Sequence, residues 1–408
     1  MTHRLTAAQR AIWSMQEDDP ASPLWNLGGY LEIEGPLDLD RFARAVHRAV
    51  IEAESPAVRF EAGDDGPRQV VTRPRTWPMP LVDTTAEPDP RAAAETVMLA
   101  RLDRPMPLFD GPLCQETLFR VAPGRHLWFR KVHHLVLDAY GSVLIGRRIA
   151  DLYAAPNSAP PSNFPPVAEV LADESGYEAS ARAAVDREYW LRRFSEPYQA
   201  VNLAGRVPAP PYRRALRRSC YLPPNAQTSA KALGASLPAI MTALLAHYLS
   251  RRTGAPEVII QLPVTGRLGP LARRATAVLA NRVPVRVSVP PTAGPFDLVP
   301  QVVRELRACL RHQRYRVEDL LRDASGAVPF LGPKVNVWVR GYDMALAGSP
   351  VLERNLNNGP VTDLSVIIYP EPDQRGLRVH MDANPDLYRP EDLETHLRHL
   401  VRPLADRS

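Results

Sequence analysis

The residues of this 408-residue chain best suited to chemistry lie together at His133-His134-Leu135-Val136-Leu137-Asp138. The segment before them, His126-Leu-Trp-Phe-Arg-Lys-Val132, alternates large side chains as a strand does. After them, Tyr140 to Leu152 places Val143, Leu144, Ile149 and Leu152 on one helical face. The histidines therefore fall at a strand end, and the aspartate in the turn that launches a helix. Adjacent strand residues point to opposite faces, so one imidazole can serve a cavity while the other braces the turn. Imidazole titrates near neutral pH and can take a proton and return it. Asp138 sits where a helix dipole favours negative charge. Its cationic neighbour must come from elsewhere in the fold, since no base lies close by in the turn. The same residues also read as a packed core pair or as zinc ligands. For zinc the chain offers no His-Glu-x-x-His and no Cys-x-x-Cys, so no metal is expected.

Such side chains need a scaffold, and the length allows two domains of ordinary size. With 45% hydrophobic and 23% charged residues the composition is that of a soluble globular protein. No basic-then-apolar leader opens the chain, and the most apolar window, Leu237 to Tyr248, is too short to span a bilayer. A membrane is therefore not an expected partner. Three cysteines, Cys114, Cys220 and Cys309, are widely spaced and odd in number, which points to a reducing, cytoplasmic compartment. A net charge of +5 is too small to suggest nucleic acid. The arginine pairs at 147–148, 213–214, 217–218, 251–252 and 273–274 read as solvated surface or a face for an acidic protein.

Thr6-x-x-Gln9 is a capping box opening a helix through Trp13. Tyr30 to Ile33 reads as a strand, and Asp38 or Asp40 starts a helix with Phe42, Ala45, Val46, Ala49 and Val50 on one face. Short strands are expected at 58–60 and 69–72, a helix at 90–102, and a hairpin from 115–121 and 126–132 around Ala-Pro-Gly-Arg. The proline-rich stretch 156–167 is the linker candidate, followed by a helix from Tyr177 to Phe194. Later strands are expected at 217–222, 257–262, 283–289, 334–340, 364–369 and 377–382. Helices are expected at 237–252, stopped by Gly254, and at 296–313, 317–323 and 390–404. Strands mixed with helices in both halves give an α+β class with two lobes, residues 1–165 and 166–408.

In order, these segments resemble the motifs of a condensation domain of nonribosomal peptide synthetases. The family motif is His-His-x-x-x-Asp-Gly. Leu5-Thr-Ala-Ala-Gln-Arg-Ala-Ile-Trp13 looks like its N-terminal motif, Val58-Arg59-Phe60 the end of its second, and Tyr189-Trp190 its aromatic pair. Gln261-Leu-Pro-Val-Thr-Gly-Arg267 with Asn281-Arg-Val-Pro-Val-Arg286 resembles its latch-region motif. Val335-Asn336-Val337 and Gly359-Pro-Val-Thr-Asp-Leu364 match two late motifs. The resemblance covers nearly the whole chain.

It implies two chloramphenicol-acetyltransferase-like lobes in a V-shaped pseudo-dimer with a central tunnel. It also implies donor and acceptor peptidyl carrier proteins as partners, with adjacent synthetase domains. The domain would bind no cofactor of its own; the carriers would deliver phosphopantetheine arms. The acceptor amine would attack the donor thioester and form an amide. His134 would hold or deprotonate that amine, His133 would be structural, and Asp138 would pair with Arg267 and tie the lobes together. Ala139, Tyr140, Gly141, Ser142, Asn336 and Trp338 would line the substrate path. The absence of Gly-x-Ser-x-Gly and of nucleotide-binding glycine loops fits direct attack on an activated thioester. One departure stands out: the motif glycine is Ala139, and an alanine disfavours positive φ and adds a methyl group. Rival readings are an acyltransferase with a free amine or alcohol acceptor, and a non-catalytic recruitment module. An epimerization domain would need a second-lobe Glu-Gly-His-Gly-Arg-type stretch, which this chain lacks.

Overall fold

The computed structural model describes residues 2–109, 111–196, 198, 201–206, 214–324, 332–338, 344–370 and 376–406. The chain forms two compact units. The first comprises Met1–Glu178, Arg267–Leu279 and Gly341–Gly359; the second comprises Ala179–Gly266, Ala280–Arg340 and Pro360–Ser408.

In the first unit a five-stranded sheet runs in the order Leu352–Asn357, Asn26–Glu34, Arg125–His133, Cys114–Ala122, Leu81–Asp83. The central strand Arg125–His133 is buried on both faces. Leu127 and Phe129 pack with Ala94 and Met98 of the helix Pro90–Leu102. Trp128 and Val132 pack on the other side with Phe42, Val46, Ile145 and Ile149. Those four come from the helices Leu39–Ala53 and Ala139–Ala154. On the first, the stripe read from the sequence is the buried one; on the second, Ile149 and Leu152 are buried, Val143 and Leu144 only partly so, and Ile145 enters the core instead. The hairpin turns at Gly124, whose φ of 67° suits glycine. The capping box is present in both directions: Gln9 N–H donates to Thr6 Oγ1 at 3.1 Å and Thr6 N–H to Gln9 Oε1 at 2.8 Å.

In the second unit six strands run in the order Asn281–Ser288, Glu257–Val264, Lys334–Val337, Leu364–Pro370, Leu377–Ala383, Leu216–Tyr221. One face of this sheet packs its valines and isoleucines on the helices Leu237–Thr253, Val299–Arg311 and Pro390–Ala405. No single described helix is long and apolar enough to cross a membrane, though one bent pair passes by length and composition.

The structure departs from the sequence reading in several places. The proline-rich stretch does not end the first unit. A helix, Val167–Glu178, follows it and packs back on the first unit, where Glu174 accepts from the Ala7 N–H at 3.0 Å. The boundary expected at 165/166 thus falls at 178/179, and two later segments rejoin the first unit. The single helix expected over 177–194 is two, because Ser180 leaves helical geometry and caps Ala181–Arg193 through the Ala183 N–H. The strand Leu352–Asn357 was not foreseen: it is a polar edge strand whose partner lies some 320 residues earlier. Arg148 is no surface cation but a buried partner of Glu52. Residues 213 and 339–340 of the expected features lie outside the described residues.

Candidate functional site

The candidate site is built on the end of the strand Arg125–His133 and the helix that begins at Ala139. Between them the chain folds into a tight turn, held from outside by the helix Ala7–Glu17. Gln9 Nε2 donates to the Leu135 carbonyl at 2.9 Å, and Gln16 Oε1 meets His133 Nε2 at 3.1 Å. Gln9 and Gln16 stand two turns apart on the buried face of an amphipathic helix. Polar residues at core positions were the signal in the sequence, and it was not read.

The two imidazoles hold opposite tautomers, and their partners decide this. His133 Nδ1 accepts from the Leu135 N–H at 3.2 Å, so the proton of the neutral ring is on Nε2. Gln16 agrees: its amide nitrogen donates to the Asp19 and Ser22 carbonyls, which leaves Oε1 to accept from His133. His134 Nδ1 faces the Leu137 carbonyl at 3.2 Å, which can only accept. In neutral His134 the proton is therefore on Nδ1 and the lone pair on Nε2. His133 is buried, and His134 is half-buried.

Burial, with His134 and Lys131 close by, pushes the His133 imidazole down from 6.5 to about 3. The unfolded chain therefore binds a proton below pH 6.5 that the folded chain refuses. Stability should fall as the pH drops from 6.5 towards 3, by about 1.4 kcal/mol per pH unit at most. Urea unfolding between about pH 7 and pH 5 measures this. The wild type should lose stability over that interval and His133→Gln should lose clearly less. Equal slopes would refute the neutral assignment.

Asp138 caps the helix, its Oδ1 accepting from the Gly141 N–H at 2.9 Å. Oδ2 accepts from the Leu279 N–H at 3.0 Å. Arg267 closes a two-pronged ion pair, Nη1 to Oδ2 at 2.8 Å and Nη2 to Oδ1 at 2.9 Å. Both side chains are buried. Burial alone would raise the Asp138 carboxyl, but Arg267 and the two backbone N–H donors outweigh it and hold the group below the usual carboxylate range. Arg267 also donates to the Ala277 carbonyl at 2.9 Å, and its guanidinium lies 4.5 Å from the centre of the Tyr140 ring. The Tyr140 hydroxyl donates to the Arg273 carbonyl. Both members of the pair belong to the first unit. The expectation that the pair itself spans two lobes is corrected accordingly. What it fastens is the segment Arg267–Leu279, which the first unit takes in although the strands before and after it belong to the second.

The glycine question resolves two residues further on. Ala139 is the first residue of its helix and has no positive φ, so alanine is unstrained there. The position with no room for a side chain is Gly141. A Cβ there would fall well inside contact distance of the Thr276 carbonyl oxygen, and 3.0 Å from Leu137 Cδ1. Thr276 is itself fixed, donating to the Ala53 carbonyl and accepting from Ser55 Oγ, both at 2.9 Å. Ala139→Gly should therefore cost no more than about 1 kcal/mol and bring no large rise in turnover. Gly141→Ala should cost about 1–3 kcal/mol and loosen the Arg267–Leu279 segment. Thermal denaturation of the two variants side by side tests the contrast.

The structure thus gathers His133, His134, Asp138, Ala139, Tyr140, Gly141, Ser142 and Arg267 in one unit. The Ser142 carbonyl faces Arg130 Nη1 at 3.4 Å. Asn336 and Trp338 lie in the second unit, on and just after the strand Lys334–Val337. Besides Gln16, sequence reasoning missed Trp25, Thr276 and the Leu137 carbonyl, which carry no local pattern.

The fold is α+β, and the gathered residues are a histidine turn and a buried aspartate–arginine pair. The chain belongs to the condensation-domain family of nonribosomal peptide synthesis: residues 2–407 match the family described as Condensation domain. It is 34% identical over its whole length to part of a dimodular nonribosomal peptide synthase of Bacillus subtilis (strain 168). It is 38% identical over 96% of its length to part of an isonitrile lipopeptide synthase of Streptomyces coeruleorubidus. The chain spans only 18% and 28% of those two proteins. Among solved structures it resembles the starter condensation domain of rhizomide synthetase in complex with C8-CoA. That match has a TM-score of 0.92 and 35% identity, over 99% of this chain and 94% of that one. It also resembles the first condensation domain of the calcium-dependent antibiotic synthetase with a substrate analogue. There the TM-score is 0.91 and the identity 32%, over 99% of this chain and 96% of that one. Condensation domains are amide-forming acyltransferases.

Proposed function

We propose that this domain joins an acyl thioester to the amine of a carrier-bound aminoacyl group, with His134 as the group that receives the amine proton. The observation that carries this reading is the tautomer of His134: Nδ1–H is committed to the Leu137 carbonyl, which makes Nε2 the basic nitrogen. In the step, the amine nitrogen attacks the thioester carbonyl carbon, the C–N bond forms and the C–S bond breaks. The proton passes from nitrogen to His134 Nε2 and on to the departing thiolate. The thioester is already activated, so the step calls on no nucleotide and no metal. Donor and acceptor carrier proteins with phosphopantetheine arms are the partners of this reading, alongside neighbouring synthetase domains. His133 and the Asp138–Arg267 pair hold the turn. Tyr140, Ser142, Asn336 and Trp338 are assigned to the substrate path on the resemblance alone.

Diffusible thioesters test the reaction without the carriers. Octanoyl-CoA and an aminoacyl N-acetylcysteamine thioester are mixed with the domain, and the N-acyl product is followed by mass spectrometry. Product with the aminoacyl thioester and none with the free amino acid supports the proposal. Equal product from the free amine would favour the free-acceptor acyltransferase. No product from either, with authentic carriers as well, would favour the recruitment module.

A further inference from the structure

We infer that Trp25 is a positioning residue for His134, stabilising its protonated form. Two contacts join them. The His134 N–H donates to the Trp25 carbonyl at 2.9 Å, which fixes the backbone where the strand ends. The indole and imidazole ring centres lie 6.0 Å apart, with the planes inclined at 48°. That separation is within the range of attractive aromatic pairs and at the outer reach in distance of a cation–π contact. The place of Trp25 is set by its neighbours. Asn26 pairs with His133 across the sheet, and the buried Asn26 amide is tied to the Leu102 and Arg104 carbonyls. The indole itself is half-buried against the core of the first unit.

The energetic consequence follows from when charge appears. On the proposed reaction, on which this inference rests, His134 is neutral before attack and cationic as the C–N bond forms. The π-face of an indole attracts an imidazolium but does little for neutral imidazole. Its contribution therefore arises in the transition state, where it raises kcat instead of merely tightening binding. Losing the indole should therefore leave His134 a weaker base.

Trp25→Leu keeps an apolar side chain and removes the π-face; Trp25→Phe keeps a weaker one. Trp25→Leu should lower kcat by about 2- to 5-fold with little change in KM. The acid limb of its pH–rate profile should move down by about 0.4–0.7 pH unit, and Trp25→Phe should fall between. A second readout needs no activity. Imidazolium quenches a neighbouring indole, so the fluorescence difference between wild type and Trp25→Phe should titrate with a single midpoint and vanish in His134→Ala. An unmoved acid limb in a folded Trp25→Leu, or a fluorescence titration that persists in His134→Ala, would overturn the inference. A titration lost in His134→Ala from a protein that makes no amide would instead keep the pairing and defeat the proposed reaction.

Discussion

His134→Ala should make amide product roughly 10²- to 10⁴-fold more slowly than wild type while melting close to it. The side chain is half-buried, and the backbone bond to the Trp25 carbonyl survives the substitution, so the turn keeps its anchor. What the variant loses is the basic nitrogen. The pH profile separates the two duties a histidine can have here. A proton acceptor gives wild type an acid limb that disappears in the variant. A residue that merely orients the amine gives a lower rate with an unchanged profile. Activity within about 10-fold of wild type would remove His134 from the chemistry altogether.

Arg267→Ala should cost about 3–5 kcal/mol of stability and abolish turnover, because it leaves the Asp138 carboxylate buried without its cation. Its pH dependence should also change sign. In wild type the Asp138 carboxyl is held low, so its contribution is present above the unfolded carboxylate pKa and is lost as the pH falls through the folded value. Without Arg267, burial, the largest influence on this carboxyl, is met by only two backbone donors, and the folded pKa rises above the unfolded one. The variant should then lose stability as the pH rises. Denaturation of wild type and variant at several pH values distinguishes these slopes. Asp138→Ala is the companion experiment: it should lose activity through the turn, with a lowered melting temperature. If it melts like wild type yet is inactive, Asp138 does chemistry and not merely structure. Replacing both residues with apolar ones should be milder than removing either alone.

Much of this was legible in residue order. The strand into His133 and the helix out of Asp138 were readable because each has a strong local period, and Asp138 was readable as a carboxylate at a helix start. The need for a distant cation was readable from the absence of one nearby, but Arg267 as that cation came from the resemblance. Chains of weak segments in a fixed order carried the family. Local reading failed where structure depends on remote partners. The edge strand Leu352–Asn357 has no period of its own, and the break at Ser180 was hidden inside an apparently continuous helical stretch.

By itself, then, the sequence determined the kinds of element, the histidine turn and the family, because local propensity and periodicity are properties of neighbouring residues. Only the tertiary structure decided which nitrogen of each histidine carries the proton, that Gly141 and not residue 139 must lack a side chain, and that Trp25 stands beside His134. Those facts depend on a carbonyl, an amide or a ring brought from another part of the chain. A tautomer or a steric limit is set by the atom it faces, and residue order does not name that atom.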